Sequence, residues 1–258
     1  MSASFFEPAG PARFSATPAT AGPWDAAAQH GGPPSALAAR ELDRHEASDS
    51  MRLARVAIDI LRPVPVGVLT ARTRTLRPGK RVALLETVLE SGGREVLYAR
   101  GWRIATSSAA PAIAAAQQVP EIPAQSVVPR FPGGHVSGYL SRIEWRIVGG
   151  SFDAPGPCKV WARPRLPLLP DEDLSPMCRT LLLADSGSGA SMVLDPTVFI
   201  FINVDLTVIL QRDPVGDWIL LDAVSTTGGT GTGLAHTRLS DQSGDVGIAV
   251  QTLLIAPR

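Results

Sequence analysis

The chain has 258 residues, 45% of them apolar, enough for one large globular domain or two of ordinary size. Its 24 basic and 24 acidic residues cancel, so charge offers no case for nucleic acid or an anionic membrane as partner. The longest apolar run, Met192 to Leu210, is broken by Asp195, Pro196, Asn203 and Asp205, and no membrane span is expected.

Met1 to Gly10 has neither a basic nor an apolar region of the signal-peptide kind, so a cytoplasmic protein is expected. Cys158 and Cys178 then read as reduced thiols. Residues 1–32 look irregular apart from a short strand near Ala12 to Thr17, with turn chemistry at Gly22-Pro23-Trp24-Asp25. His30-Gly31-Gly32 leads into Pro33-Pro34 and an Ala-, Leu-, Arg- and Glu-rich stretch to Arg44, which predicts a helix. Backbone N–H groups of Gly31 and Gly32 then lie at a helix start, a place that favours negative charge.

Four strands follow: Arg52 to Leu61, Gly67 to Leu76, Lys80 to Glu90 and Glu95 to Ala105. Turn signals at Pro63–Pro65, Pro78-Gly79 and Gly92-Gly93 make them antiparallel. Thr106 to Ser126 is Ala-, Pro- and Gln-rich and reads as a linker.

The second half repeats the plan. Tyr139 to Val148 and Val160 to Leu168 read as strands. A helix runs from Ser175 to Asp185, with Ser175 as N-cap and Pro176 at its first position. Val198 to Gln211, Trp218 to Thr226, Gly233 to Leu239 and Val246 to Ile255 complete the strands. Ile60 to Gly67 matches Ile209 to Gly216, and Gly93 matches Gly244, an offset of about 150 residues, one domain length. The organisation expected is a unit at 1–106, a linker at 107–126 and a second unit at 127–258, packed as a pseudo-dimer of α+β class.

Asp185 follows a run of leucines on the second helix and precedes a Gly-Ser hinge. A carboxylate there caps the helix or does chemistry. His45, His135 and His236 are scattered without ligand spacing, so no metal is expected. Gly228 to Gly233 joins two strands and reads as a hairpin loop rather than a phosphate cradle. Gly187-Ser188-Gly189 follows a helix and is no nucleophile elbow. Arg62, Arg77, Lys80 and Arg81 sit near turns, as solvated surface cations or as contacts for substrate phosphates.

His30-Gly31-Gly32, Leu183-Ala184-Asp185, the strand ending Gln251-Thr252-Leu253-Leu254, their order and the duplication together resemble the bacterial acyl-CoA thioesterase II (TesB-like) family. The resemblance covers nearly the whole chain. It implies a double hotdog, in which each unit wraps a long antiparallel sheet around a central helix. It also implies hydrolysis of an acyl-CoA to free acid and coenzyme A, with no cofactor. Hotdog sheets often associate further, so a homo-oligomer is expected.

In single-unit hotdog thioesterases the acid follows His-Gly-Gly by about nine positions, roughly two and a half turns. Here that position after His30 holds Ala39, and the position as far before Asp185 holds Pro176. The pattern is thus split between halves. In hotdog dimers the site draws on both subunits, so the expectation is one composite site with Gly31 and Gly32 facing Asp185. The family's Asp, Gln and Thr, which act together on water, fall on Asp185, Gln251 and Asn203, the last a departure from Thr. A carboxylate base contributes roughly 10²–10⁴-fold, and paired N–H groups at the helix start, with His30 beside them, would receive the carbonyl oxygen. Two alternatives remain open at this point. Asp25 and His30 are spaced as in hydratase-type hotdogs, without their usual Asn-Pro pair. Asn203 also fits a catalytically silent acyl-CoA or lipid binder.

Overall fold

A computed structural model describes residues 4–112, 118–130, 134 and 137–258. The N-terminal segment forms two strands, β1 (Phe6–Gly10) and β2 (Arg13–Ala16). Sequence reading missed β1 because Pro8 and Gly10 interrupt it. At a sheet edge both are tolerated, since no outer partner needs the absent N–H.

Helix α1 (Gly32–Arg44) opens with Pro33 and Pro34 in its first turn, where a missing N–H costs nothing. Gly32 to Ala39 and Leu42 are all buried. Strands β3 (Met51–Ile60), β4 (Val68–Arg77), β5 (Val82–Ser91) and β6 (Arg94–Ala105) wrap it. The Arg103 guanidinium caps its carboxyl end, donating to the carbonyls of Leu42, Asp43 and Glu46.

Part of the expected linker, 113–117, and His135 lie outside the described residues. Pro120 and Pro123 lie against the second half, their carbonyls taking bonds from Trp161 and Arg146. The strand expected at Tyr139 to Val148 begins instead as a helical turn, α2 (Tyr139–Arg142), and becomes β7 (Ile143–Gly149). The next strand, β8 (Cys158–Pro164), ends at its proline, four residues before the expected Leu168. Helix α3 (Pro176–Ala184) is capped by Ser175, whose Oγ accepts from the Cys178 N–H at 3.4 Å. The expected hinge after it is a second short helix, α4 (Gly187–Ala190).

The strand predicted as Val198 to Gln211 is broken at Val204 into β9 (Phe199–Asn203) and β10 (Asp205–Leu210). Then come β11 (Ile219–Thr227), β12 (Thr232–Asp241) and β13 (Gly244–Pro257). One continuous sheet runs β1-β2-β4-β5-β6-β3-β10-β13-β12-β11-β8-β7, with β9 paired to the far end of β13. This is the α+β double hotdog. Both helices lie side by side inside it.

Register shows how closely the halves repeat. Arg100 pairs with Ala57 as Val250 pairs with Thr207, an offset of 150 on both strands. The β5 bulge at Leu89/Glu90 recurs in β12 at Leu239/Ser240. The break at Val204 answers the β3 bulge between Leu53 and Arg55. Ala57 is also the cross-strand partner of Thr207, so the pseudo-two-fold axis passes between them. The match read from sequence, Ile60 with Ile209, is therefore slipped by one residue. A one-residue slip turns every side chain of a strand to the other face, so only register settles it.

Candidate active site

The two helices approach closely at the start of α1. An ideal Cβ on Gly32 would lie 2.3 Å from the Leu182 carbonyl oxygen of α3. A Cβ on Gly31 would lie 2.7 Å from both carboxylate oxygens of Asp185. Only glycines allow the first half's helix start to meet the second half's acid.

Asp185 is 5% exposed and ends α3, so it is both the helix cap and a buried carboxylate. Each of its oxygens is engaged. Asn203 Nδ2 donates to Oδ1 at 2.8 Å. His30 Nδ1 lies 2.9 Å from Oδ2. Gln251 Nε2 donates to the Asp185 carbonyl at 3.1 Å and lies 3.5 Å from Oδ1.

The polar groups define one another's orientation. Gln251 Oε1 accepts from the Ser188 N–H at 3.0 Å, a group that only donates, so its amide must face Asp185. Asn203 spends both amide hydrogens, on Asp185 and on the Asp205 carbonyl at 3.1 Å. What it can offer a water is its carbonyl oxygen. His30 Nδ1 also lies 3.1 Å from the Gly32 N–H, and one ring nitrogen cannot donate and accept at once. Two lone pairs 2.9 Å apart repel, so the shorter contact, with Asp185 Oδ2, places the hydrogen on Nδ1.

A cavity of about 370 Å³ opens in front of these groups. His30, Gly31, Asp185 and Asn203 line it. Phe152, Met192 and Leu140 form a buried apolar part of the wall, while Trp24, Arg62 and Arg258 stand at exposed positions. Gln251, 2% exposed, and Gly32 do not line this cavity; Gln251 reaches it through Asp185, whose carbonyl accepts from its amide. Asp25 lines the cavity but does not meet His30: its carboxylate accepts from the Ala27 N–H at 2.8 Å within its own turn.

Three contributors went unread in the sequence. The Ser188 N–H fixes Gln251. Gly187 packs so tightly that a Cβ would lie 2.3 Å from Thr237 Oγ1. Tyr139 stacks on the His30 ring, centroids 3.9 Å apart. The Gly187-Ser188-Gly189 cluster was the available signal for the first two, since glycines beside a buried acid mark close backbone approach; Tyr139 had none. Away from the site, Arg77 donates to the Val82 carbonyl, and burial pushes the Cys158 and Cys178 thiols up to about 11 and 12. Both cysteines are free. Among the described residues no group of three or more His, Cys, Asp or Glu side chains could hold a metal.

Residues 20–104 match the family model described as acyl-CoA thioesterase N-terminal domain, and residues 115–255 match the acyl-CoA thioesterase C-terminal domain. No curated protein matches the chain. Among solved structures, a provisionally assigned thioesterase II from Thermobifida fusca is similar with TM-score 0.76 and 20% identity, covering 98% of this chain and 96% of that one. The tesB protein of Mycobacterium avium subspecies paratuberculosis gives 0.69 and 17%, over 98% and 96%. Acyl-CoA thioesterase II TesB2 of Mycobacterium marinum gives 0.66 and 17%, over 98% and 95%. At these identities the structural likeness establishes the fold; the two family models establish the descent.

Proposed function

Because the chain belongs to the acyl-CoA thioesterase family and is an acyl-CoA thioester hydrolase, we propose that Asp185 is the base that activates its water. The observation that carries this is the Asp185 carboxylate, buried on the cavity wall and held at both oxygens by groups from both halves, His30 and Asn203.

In this reading a water held by Asp185 and the Asn203 carbonyl oxygen attacks the thioester carbon as its proton passes to Asp185. The carbonyl oxygen gains negative charge and takes the Gly31 N–H, which lies on the cavity wall at the positive end of α1. The C–S bond then breaks, and Asp185 returns the proton to the leaving sulfur. Free acid and coenzyme A result. Gln251 and His30 hold the base at fixed angle, a positioning effect. Arg62 and Arg258, at exposed places on the cavity wall, meet the phosphates of coenzyme A, and the acyl chain lies toward Phe152 and Met192. None of these steps requires a metal or redox group. No helix among the described residues is long and apolar enough to cross a membrane, and we place the enzyme in the cytoplasm as a homo-oligomer.

The test is free-thiol release from short, medium and long acyl-CoAs. Wild type should release thiol, and Asp185→Asn should lose about 10²–10⁴-fold in kcat. Full activity in Asp185→Asn would remove the assignment. Acyl-CoA binding without thiol release in wild type would point to the silent binder instead.

A further inference from the structure

Tyr139 opens the second repeat yet packs against the first. Its ring lies 3.9 Å from the His30 imidazole at an interplanar angle of 16°. It is fully buried. Its N–H donates to the Ala21 carbonyl at 3.0 Å. Gly138 makes that approach possible: at φ +86° it adopts a conformation open to glycine, and a Cβ there would lie 2.5 Å from the same carbonyl oxygen. The phenol hydroxyl donates to the Leu182 carbonyl at 2.7 Å and lies 3.0 Å from Ser186 Oγ. Both partners flank Asp185 along the chain. One side chain therefore touches the ring that donates to the acid and the helical turn that carries it.

We propose that Tyr139 is a positioning residue for thioester hydrolysis: its ring face fixes the plane of His30 so that Nδ1 stays on Asp185 Oδ2. The proposal rests on Asp185 and His30 forming the catalytic constellation described above. An imidazole on two rotatable bonds has other places to go. Tyr139 on one face and the helix start behind it leave one plane. Burial pushes the phenol up, above the range where it would lose its proton, so the ring works by shape rather than by proton transfer. The hydroxyl serves a separate purpose, tying the last turn of α3 in place.

The test is a double-mutant cycle on His30 and Tyr139 with thiol release as readout. Tyr139→Leu removes the ring face and should lower kcat at least about tenfold with KM unchanged. Tyr139→Phe keeps the face and should hold kcat within about twofold while lowering the melting temperature, through the lost hydroxyl bonds. In a His30→Ala background, Tyr139→Leu should cost nothing further. Should the Leu variant not fold, Tyr139→Met fills similar volume without a ring face and replaces it in the cycle. Wild-type kcat in the Leu or Met variant, an equal loss with and without His30, or a matching rise in KM would overturn the proposal. Asp185→Asn in the same assay separates the two failures. If that variant is inactive and Tyr139→Leu is normal, the positioning role is wrong; if Asp185→Asn is active, the site itself is wrong.

Discussion

Asp43 stands to the start of α3 as Asp185 stands to the start of α1. Asp185 lies against Gly31, and Asp43 lies beside Ser175, the N-cap of α3. Pro34 and Asp43 recur as Pro176 and Asp185 at the same spacing. The acid is thus present in both repeats, but its surroundings are not. Where the second half has Gln251 and Asn203, the first has Gly101 and Leu53, their counterparts by sheet register. Leu53 fills the space: a Cβ on Gly101 would lie 2.8 Å from its Cδ2. Glu172, bound to Arg40, stands where His30 would be.

The two aspartates therefore respond differently to removal. Asp43→Asn should leave thiol release unchanged, whereas Asp185→Asn loses about 10²–10⁴-fold. Burial pushes the Asp43 carboxyl up, against the neighbouring Ser175 side chain and the charge of Arg103. A carboxyl raised on folding weakens the fold above its folded pKa and has no effect below the unfolded one, about 3.9. Asp43→Asn should raise the melting temperature at pH 7, and the gain should close as the pH falls through about 4. Thermal melts across that range check the sign.

Gly31→Ala places a methyl where the Asp185 carboxylate is. The acid must shift, and a misplacement near 1 Å costs about 10²-fold. Gly67→Ala, with open space at its Cβ, is the matched control and should be silent. Comparing kcat and melting temperature for the pair tells displaced chemistry from general damage.

Asn203→Leu copies the first repeat. It removes the donor to Asp185 Oδ1 and the acceptor offered to water. We expect kcat to fall about 10²-fold with a smaller change in KM, since the group acts on the water rather than on coenzyme A. An unchanged kcat would assign Asn203 to packing alone.

Asp241 is a structural counterpart to these functional acids. Fully buried, it accepts from Arg212 at 2.5 and 2.7 Å, from the Val215 N–H at 2.8 Å and from the Ser243 N–H at 2.7 Å. Burial opposes its charge, but these bonds outweigh burial and hold the carboxyl below its ordinary range. Its stabilisation is complete above the unfolded pKa and is lost as the pH falls through the lower folded value, in the range below about 4. Asp241→Ala should cost about 1–3 kcal/mol at pH 7 through the donors left unpaired. It should also flatten the acid limb of the stability curve in chemical denaturation.

Local chemistry was legible in the sequence wherever one stretch settles its own conformation. Pro33-Pro34 and Ser175-Pro176 announce helix starts, alternation and Gly turns announce strands, and the recurrence of both announces the duplication. Asp185 stood out as an acid behind leucines. Tertiary structure decided the rest, because the site joins residues far apart in the chain. His30 and Tyr139 stack although a whole sheet separates them in sequence. Whether Gln251 faces the cavity or braces it depends on where α4 presents the Ser188 N–H. The bulge at Val204, which sets Asn203 against Asp185, exists only as an offset between paired strands. Residue type determines which bonds a side chain can make; the path of the chain, fixed by sheet register and by the close approach of two helices, determines which partner it finds.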